Sequence, residues 1–152
     1  IDEFEHELLT SALDLGIRPV EEISIPRQEI VAVTKKMTIA EIEKQILKSG
    51  HTRMPVIGEN LDDIVGMVHA KDLLQYGPEM QSLILPEDSI RELVIVSPDM
   101  TQEDALLLMR RNRNHLVVLQ NPVSETVGLI TMEDVVEELV GEFEDETDVE
   151  FL

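Results

Sequence analysis

The chain repeats itself, and no other feature constrains its fold as strongly. Residues 30–38 (IVAVTKKMT) and 93–101 (LVIVSPDMT) share an apolar run, a short turn and a Met-Thr pair. Thr38 and Thr101 lie 63 positions apart, as do Ile30 and Leu93. Each Thr stands where a helix should open. Thr38 with Glu41 has capping-box spacing, and Thr101 with Asp104 is a variant with a shorter acid. Ile39, Ile42 and Ile46 recur at helical spacing in the first copy, as Ala105, Leu108 and Met109 do in the second. Short apolar strands follow at 54–57 and 116–119. Aligning them gives an offset of 62, which places the loss of one residue near the end of the second helix. Strands at 64–68 and 126–130 come next, with Gly66 and Gly128 again 62 apart, and helices at 71–74 and 133–136 close the copies.

Each copy therefore reads β-α-β-β-α over about 60 residues, a size at which an isolated unit is marginal. The predicted fold class is α/β (α+β): two such motifs packed through their sheets about a pseudo-two-fold axis. Tyr76, Gly77 and Pro78 mark the join. Phe4, Leu8, Ala12 and Leu15 suggest an N-terminal helix that Gly16 ends. The expected division is a linker helix at 1–17, motif 1 at 18–77, motif 2 at 78–141 and an acidic tail at 142–152. Pseudo-symmetry builds the cleft between the copies twice, so two related pockets are expected, not both necessarily functional.

Composition removes several classes of function. With no Cys, a disulfide framework, a thiolate zinc site and a Cys nucleophile are excluded. Aromatic residues are 3% of the chain with no Trp, which argues against stacking platforms for single-stranded nucleic acid. Twelve Lys and Arg face 32 Asp and Glu, and a net charge of −20 repels nucleic acid and anionic lipid. No apolar run approaches the ~20 residues that span a bilayer, and no signal peptide is recognisable, so an intracellular soluble segment is expected. No Lys or Arg follows Arg113, while ten acidic residues fall between Glu133 and Glu150. Carboxylates so arranged suit a weak Mg²⁺ or Ca²⁺ site, but like-charge blocks are more commonly just solvated.

Thr131-Met132-Glu133-Asp134 sits where a strand turns into a helix. A Thr hydroxyl with the first free amides of that helix suits a phosphate, and the Asp134 carboxylate one turn on suits two ribose hydroxyls. Plain capping accounts for the same four residues and is the commoner arrangement. The first copy reads His69-Ala70-Lys71-Asp72 here: the acid is kept and the Thr is replaced, which predicts a weaker or empty second pocket. Thr52 and Arg53, just before a buried strand, can reach phosphate oxygens across the cleft, and Arg27 offers another cation. A surface ion pair is the competing role for each Arg. His115 precedes an apolar strand and reads as a core or edge residue. No metal-binding His pair, nucleophile elbow or glycine-rich phosphate loop is present, so no catalytic residues and no protein metal site are expected.

These motifs resemble a tandem pair of cystathionine-β-synthase-type (CBS) domains, specifically those of the CorC/HlyC hemolysin-like proteins, related to the cyclin M magnesium-transport mediators. The most specific stretches are 25–31 (IPRQEIV), 49–56 (SGHTRMPV), 63–66 (DIVG) with 71–74 (KDLL), and 128–142 (GLITMEDVVEELVGE). The resemblance implies a regulatory module that binds AMP or ATP, with Mg²⁺ as nucleotide counter-ion, between the copies. Carried over, Thr131 contacts phosphate, Asp134 the ribose, Thr52 and Arg53 lie near the phosphates, and Pro55 and Ile30 line the adenine pocket. Asp72 and His69 mark the weaker second site. It also implies a disc-shaped homodimer in a cytoplasmic module of a membrane-anchored protein, with a membrane domain upstream that handles Mg²⁺ or Co²⁺. Two readings compete: a structural dimerisation module with degenerate pockets, and direct divalent-cation sensing by the acidic tail. Two departures stand out. Residues 121–125 (NPVSE) replace an acidic-aromatic-Gly-Gly loop, and Ser24 stands where relatives tend to place Met.

Overall fold

A computed structural model describes residues 2–138; the expected 142–152 tail, and with it the cation-sensing reading, lies outside them. Helix α1 spans Glu3–Ile17, capped by Asp2, whose carboxylate accepts the Glu5 N–H at 2.7 Å. Gly16 does not end it. The helix runs on to Ile17 and stops at Arg18 (φ −79, ψ 141), because the residue before a proline is driven out of the helical region and Pro19 follows. Phe4 and Ala12 are exposed and Leu15 is half-buried.

The chain then crosses to the second repeat before building the first. Val20 N–H donates to Met100 O at 2.6 Å, and Val20 is fully buried with Ala105, Met109 and Ile130. Strand β1 (Ile25–Pro26) pairs antiparallel with β7 (Thr126–Thr131), matching Ile25 to Leu129 and Pro26 to Gly128. Unit 1 follows: β2 (Val33–Thr34), α2 (Ile39–Ser49), β3 (Arg53–Ile57), β4 (Ile64–His69), and, where the pattern predicts an α-helix at 71–74, a 3₁₀ helix at Ala70–Gln75. Thr38 and Glu41 form the capping box anticipated, and Ile39, Ile42 and Ile46 face the first core. Unit 2 is β5 (Val94–Val96), α3 (Gln102–Asn112), β6 (Leu116–Gln120), β7, and a helix, α4, over 132–138. The leading strands are shorter than the apolar runs at 30–34 and 93–97 suggest. The sheets run β2-β3-β4 and β1-β7-β6-β5.

Strand pairing corrects the alignment of the repeats. Val33 pairs with Val56 and Val96 with Leu119, so the offset of 63 persists through β6. It becomes 62 only after Ile57–Ile64 and Gln120–Thr126. The missing residue therefore belongs to the loop at 121–125, not to the helix end. Met54 corresponds to Val117, not Leu116. Both Met54 and Val117 point into their own unit's core, while Leu116 points between the units.

That inter-unit layer joins Met67, Leu116, Val118 and Leu129, with Ile25, Ile30, Ile64 and Leu93 packed against it. A polar clasp flanks it. Asp62 accepts the Thr126 N–H at 2.8 Å and pairs with Arg27. Arg27 also donates to Thr126 O at 2.8 Å, and Thr126 Oγ1 donates to Leu61 O at 2.6 Å. Arg27 is thus committed to holding the units together.

Candidate functional site

At one end of the inter-unit layer lies a cavity of about 270 Å³ with walls from both repeats. Helix α2 stops at Gly50, which adopts φ 75. Glycine makes that left-handed turn without steric cost, and it leads His51, Thr52 and Arg53 along the unit 1 wall. The opposite wall comes from His115, Thr131, Glu133 and Asp134, and Ile25 completes the lining. His115 O accepts the Met132 N–H at 2.9 Å, fixing the start of α4 beside β6.

Thr131 caps that helix: Asp134 N–H donates to Thr131 Oγ1 at 3.0 Å. Capping and lining coexist, because a hydroxyl that accepts one bond still has its own proton to donate. Arg53 makes an ion pair, and the pair crosses the cleft: Nη1 donates to Glu133 Oε1 at 3.1 Å. Glu133 was not singled out in the sequence, although it sits inside the Thr-Met-Glu-Asp run. Of the two readings of His115, core or edge, the structure has the edge: it is half-buried immediately before β6. It faces the cavity, with Nδ1 3.7 Å from the same Glu133 oxygen.

A narrow slot of about 30 Å³ adjoins the cavity, sharing Ile25, His51, Arg53 and Thr131 with it. Ile30, Pro55, Leu116 and Leu129 give it an apolar character. All six residues expected at the main site, Thr131, Asp134, Thr52, Arg53, Pro55 and Ile30, therefore line the cavity or its slot. The loop at 121–125 does not. Asn121 Oδ1 accepts the N–H groups of Val123 and Glu125 at 3.2 and 2.9 Å, and Ser124 takes φ 65.

The pseudo-symmetric position is built differently. His69 Nδ1 accepts the Lys71 N–H at 3.0 Å, capping the 3₁₀ helix. Burial, then the charges of Arg53 and Arg91, hold the His69 imidazole below its ordinary pKa. Asp72 is retained, but both oxygens are taken by Arg91, at 2.8 Å each. The corrected alignment also puts the 2% exposed Leu116 opposite Arg53 in the repeat, so this position lacks its cation as well as its Thr. Among the described residues no three His, Asp or Glu side chains converge to hold a metal ion, and no helix is long and apolar enough to cross a membrane.

Fold and cleft together define a paired-repeat module whose halves share a polar cavity. The CBS domain family model matches residues 20–79 and 87–141. A magnesium and cobalt efflux protein CorC from Escherichia coli is 33% identical over 150 residues, 99% of this chain and 51% of the relative. A possible hemolysin C from Rickettsia akari is 37% identical over 145 residues, 95% of this chain and 48% of the relative. The solved CBS domain of a bacterial CNNM/CorC family Mg²⁺ transporter, in complex with ATP, is 34% identical. It superposes with a TM-score of 0.85, covering 90% of this chain and 97% of that one. The chain belongs to the CBS-domain family, as a tandem pair of the CorC and hemolysin C group. It spans between a third and about half the length of the curated relatives it matches.

Proposed function

We propose that this pair is a regulatory, non-catalytic module that senses an adenine nucleotide, AMP or ATP with Mg²⁺. The observation that carries the reading is convergence: Thr52 and Arg53 from one repeat and Thr131 and Asp134 from the other line a single cavity of about 270 Å³. Thr131 and the first amides of α4 serve the phosphate, with Thr52 and Arg53 opposite. Asp134 accepts from the ribose hydroxyls, and the base enters the slot between Ile30 and Pro55. The related CBS domain solved with ATP supports the same ligand class.

At about 30 Å³ the slot has room for about two waters. A base enters only if the walls part, so binding shifts the two repeats relative to each other. A ligand moves such an equilibrium only by its differential affinity for the two arrangements. In the intact protein that shift, passed through a homodimer of this cytoplasmic module, controls an upstream membrane domain that moves a divalent cation. Glu133 and Asp134 lie in the cavity of a chain carrying −20, so Mg²⁺ should strengthen ATP binding by lowering the ligand's negative charge.

Calorimetric titration of AMP, and of ATP with and without Mg²⁺, tests the reading on the wild type and on Asp134→Ala. The expected result is at least a tenfold loss of affinity in the variant, about 1.4 kcal/mol. Equal affinities in the two proteins would refute it, and ATP binding indifferent to Mg²⁺ would refute the charge argument. The degenerate-pocket reading is favoured only at the pseudo-symmetric position, where Asp72 is already taken by Arg91. There we expect a structural contact and no second nucleotide.

A further inference from the structure

At the far end of sheet β2-β3-β4 from Arg53 lies a second cavity, of about 360 Å³. Val65, Ile84, Leu85 and Ile90 wall it, and Lys35 and Glu87 complete the lining. Pseudo-symmetry shows what keeps it open. Ile84 bridges to Thr38 as Pro19 bridges to its counterpart Thr101, so the arm after Ile84 matches the arm after Pro19. In unit 2 that arm lies flat: Glu21 N–H donates to Pro98 O at 3.3 Å, and Ile23 and Val127 both pack on the core. In unit 1, Pro86 stands in the place of Glu21 and has no N–H to give Lys35 O, the counterpart of Pro98 O. The arm is also one residue longer, because Arg91 bridges to Met67 where Ile25 pairs with Leu129. Asp88 and Ser89 thus stand where unit 2 has Ile23. Val65, the counterpart of Val127, is left 41% exposed, and Ile84 56%. The charges are as informative as the walls. Lys35 and Glu87 have opposite signs and line one cavity, yet among the described residues neither is in an ion pair. A ligand with a single charge would leave one of them unmatched.

We infer that this cavity binds a free aliphatic α-amino acid of the leucine, isoleucine or valine class. The ligand carboxylate meets the Lys35 ammonium, the ligand ammonium meets the Glu87 carboxylate, and the branched side chain takes the place that Ile23 fills in unit 2. The cavity has the size and make-up of small-ligand sites, which are mostly apolar with a few polar groups that fix orientation. Burial of the side chain against Val65, Ile84, Leu85 and Ile90 drives binding. The two charges select against molecules that carry only one, since a singly charged ligand faces an unmatched like charge. No residue of this cavity lines the cleft that holds Arg53 and Glu133, so the inference does not depend on the nucleotide reading.

The test follows backbone amides by heteronuclear NMR while leucine, isoleucine or valine is added to about 10 mM, a range that detects millimolar binding, with no nucleotide present. At least one of the three should shift the amides of Val65, Leu85 and Ile90 saturably and leave those of Thr52 and Thr131 unmoved. For whichever binds, the matching acid without its amine and the matching amine without its carboxylate should each bind at least about tenfold more weakly, as should glycine. Lys35→Gln and Glu87→Gln should each weaken binding severalfold. Val65→Phe, which fills the cavity, should abolish binding while keeping or raising the melting temperature; the two charge variants carry the test if Val65→Phe does not fold. The inference is overturned by shifts from none of the three amino acids, by a singly charged analogue that binds as tightly, or by wild-type affinity in both charge variants. Each of those results leaves the nucleotide reading untouched.

Discussion

Gly66 and Gly128 hold the same place in the two units because a chain segment crosses each strand at close range. A Cβ on Gly66 would lie 2.4 Å from Arg91 O, a backbone atom that cannot swing aside. On Gly128 it would meet Ser24 Oγ at 2.8 Å, Ser24 Cβ at 3.0 Å and Ile25 O at 3.2 Å; the hydroxyl can rotate away, and the other two contacts are longer than the one at Gly66. Gly66→Ala should therefore destabilise by about 2–3 kcal/mol and Gly128→Ala by less, as overpacking does; denaturant midpoints would check the order. A second pair works through backbone conformation. Gly50 and Arg113 both end a helix in the left-handed region, at φ 75 and φ 54, and only glycine does so without steric cost. Arg113→Gly should raise stability by about 1 kcal/mol and Gly50→Ala should lower it by a similar amount, read from thermal melts. At this scale the sequence was informative about residue type and silent about partners. Thr131, Asp134, Thr52 and Arg53 could be named from motif and spacing. Glu133 and His115 could not, because what singles them out is a contact between residues far apart in the chain.

The elements were legible wherever periodicity was strong. Helix α2 carries its apolar residues at helical spacing and its capping box in plain view, and the structure has both. Strands β3 and β6 were found but misaligned by one residue. Their apolar runs are buried on both faces, so no alternation reveals which residue points where. A slip of one sends every side chain to the other face, and the pairing of Val33 with Val56 and of Val96 with Leu119 exposes the error. Helix α1 overran Gly16 because a glycine is tolerated inside a helix, whereas a proline dictates the conformation of the residue before it. The clasp between loop 58–63 and β7 belongs to the same scale. Asp62→Ala removes the acceptor of the buried Thr126 N–H together with the partner of Arg27. Amide exchange at Thr126 should accelerate in that variant while exchange in α2 stays unchanged; equal acceleration in both would mean global unfolding, not a loosened clasp.

For the molecule as a whole, a charge of −20 sets a standing repulsion. Raising NaCl to about 0.5 M at pH 7 shortens the Debye length well below 10 Å and should raise the melting temperature by a few degrees. Acid acts in the opposite sense through two ion pairs. The Arg91 hydrogen bonds hold the Asp72 carboxyl below its ordinary value of 3.8, and Arg27, then the Thr126 amide, do the same for Asp62. A folded-state value below the unfolded one stabilises above the ordinary value, and that contribution is lost as pH falls through the folded values. Arg91→Ala should therefore flatten the loss of stability below about pH 4, measured as unfolding midpoint against pH. The repeat, the α/β class and the helix caps follow from local pattern, because propensity, capping and periodicity act between neighbours in the chain, whereas Ile30 and Pro55 were named only through the family resemblance. The contrast between the two pseudo-symmetric positions was decided by packing: Arg53 stands opposite Glu133 at one, while at the other Asp72 is consumed by Arg91 and Leu116 turns inward where its counterpart is a cation. Those contacts join residues tens of positions apart, and no local rule reaches that far.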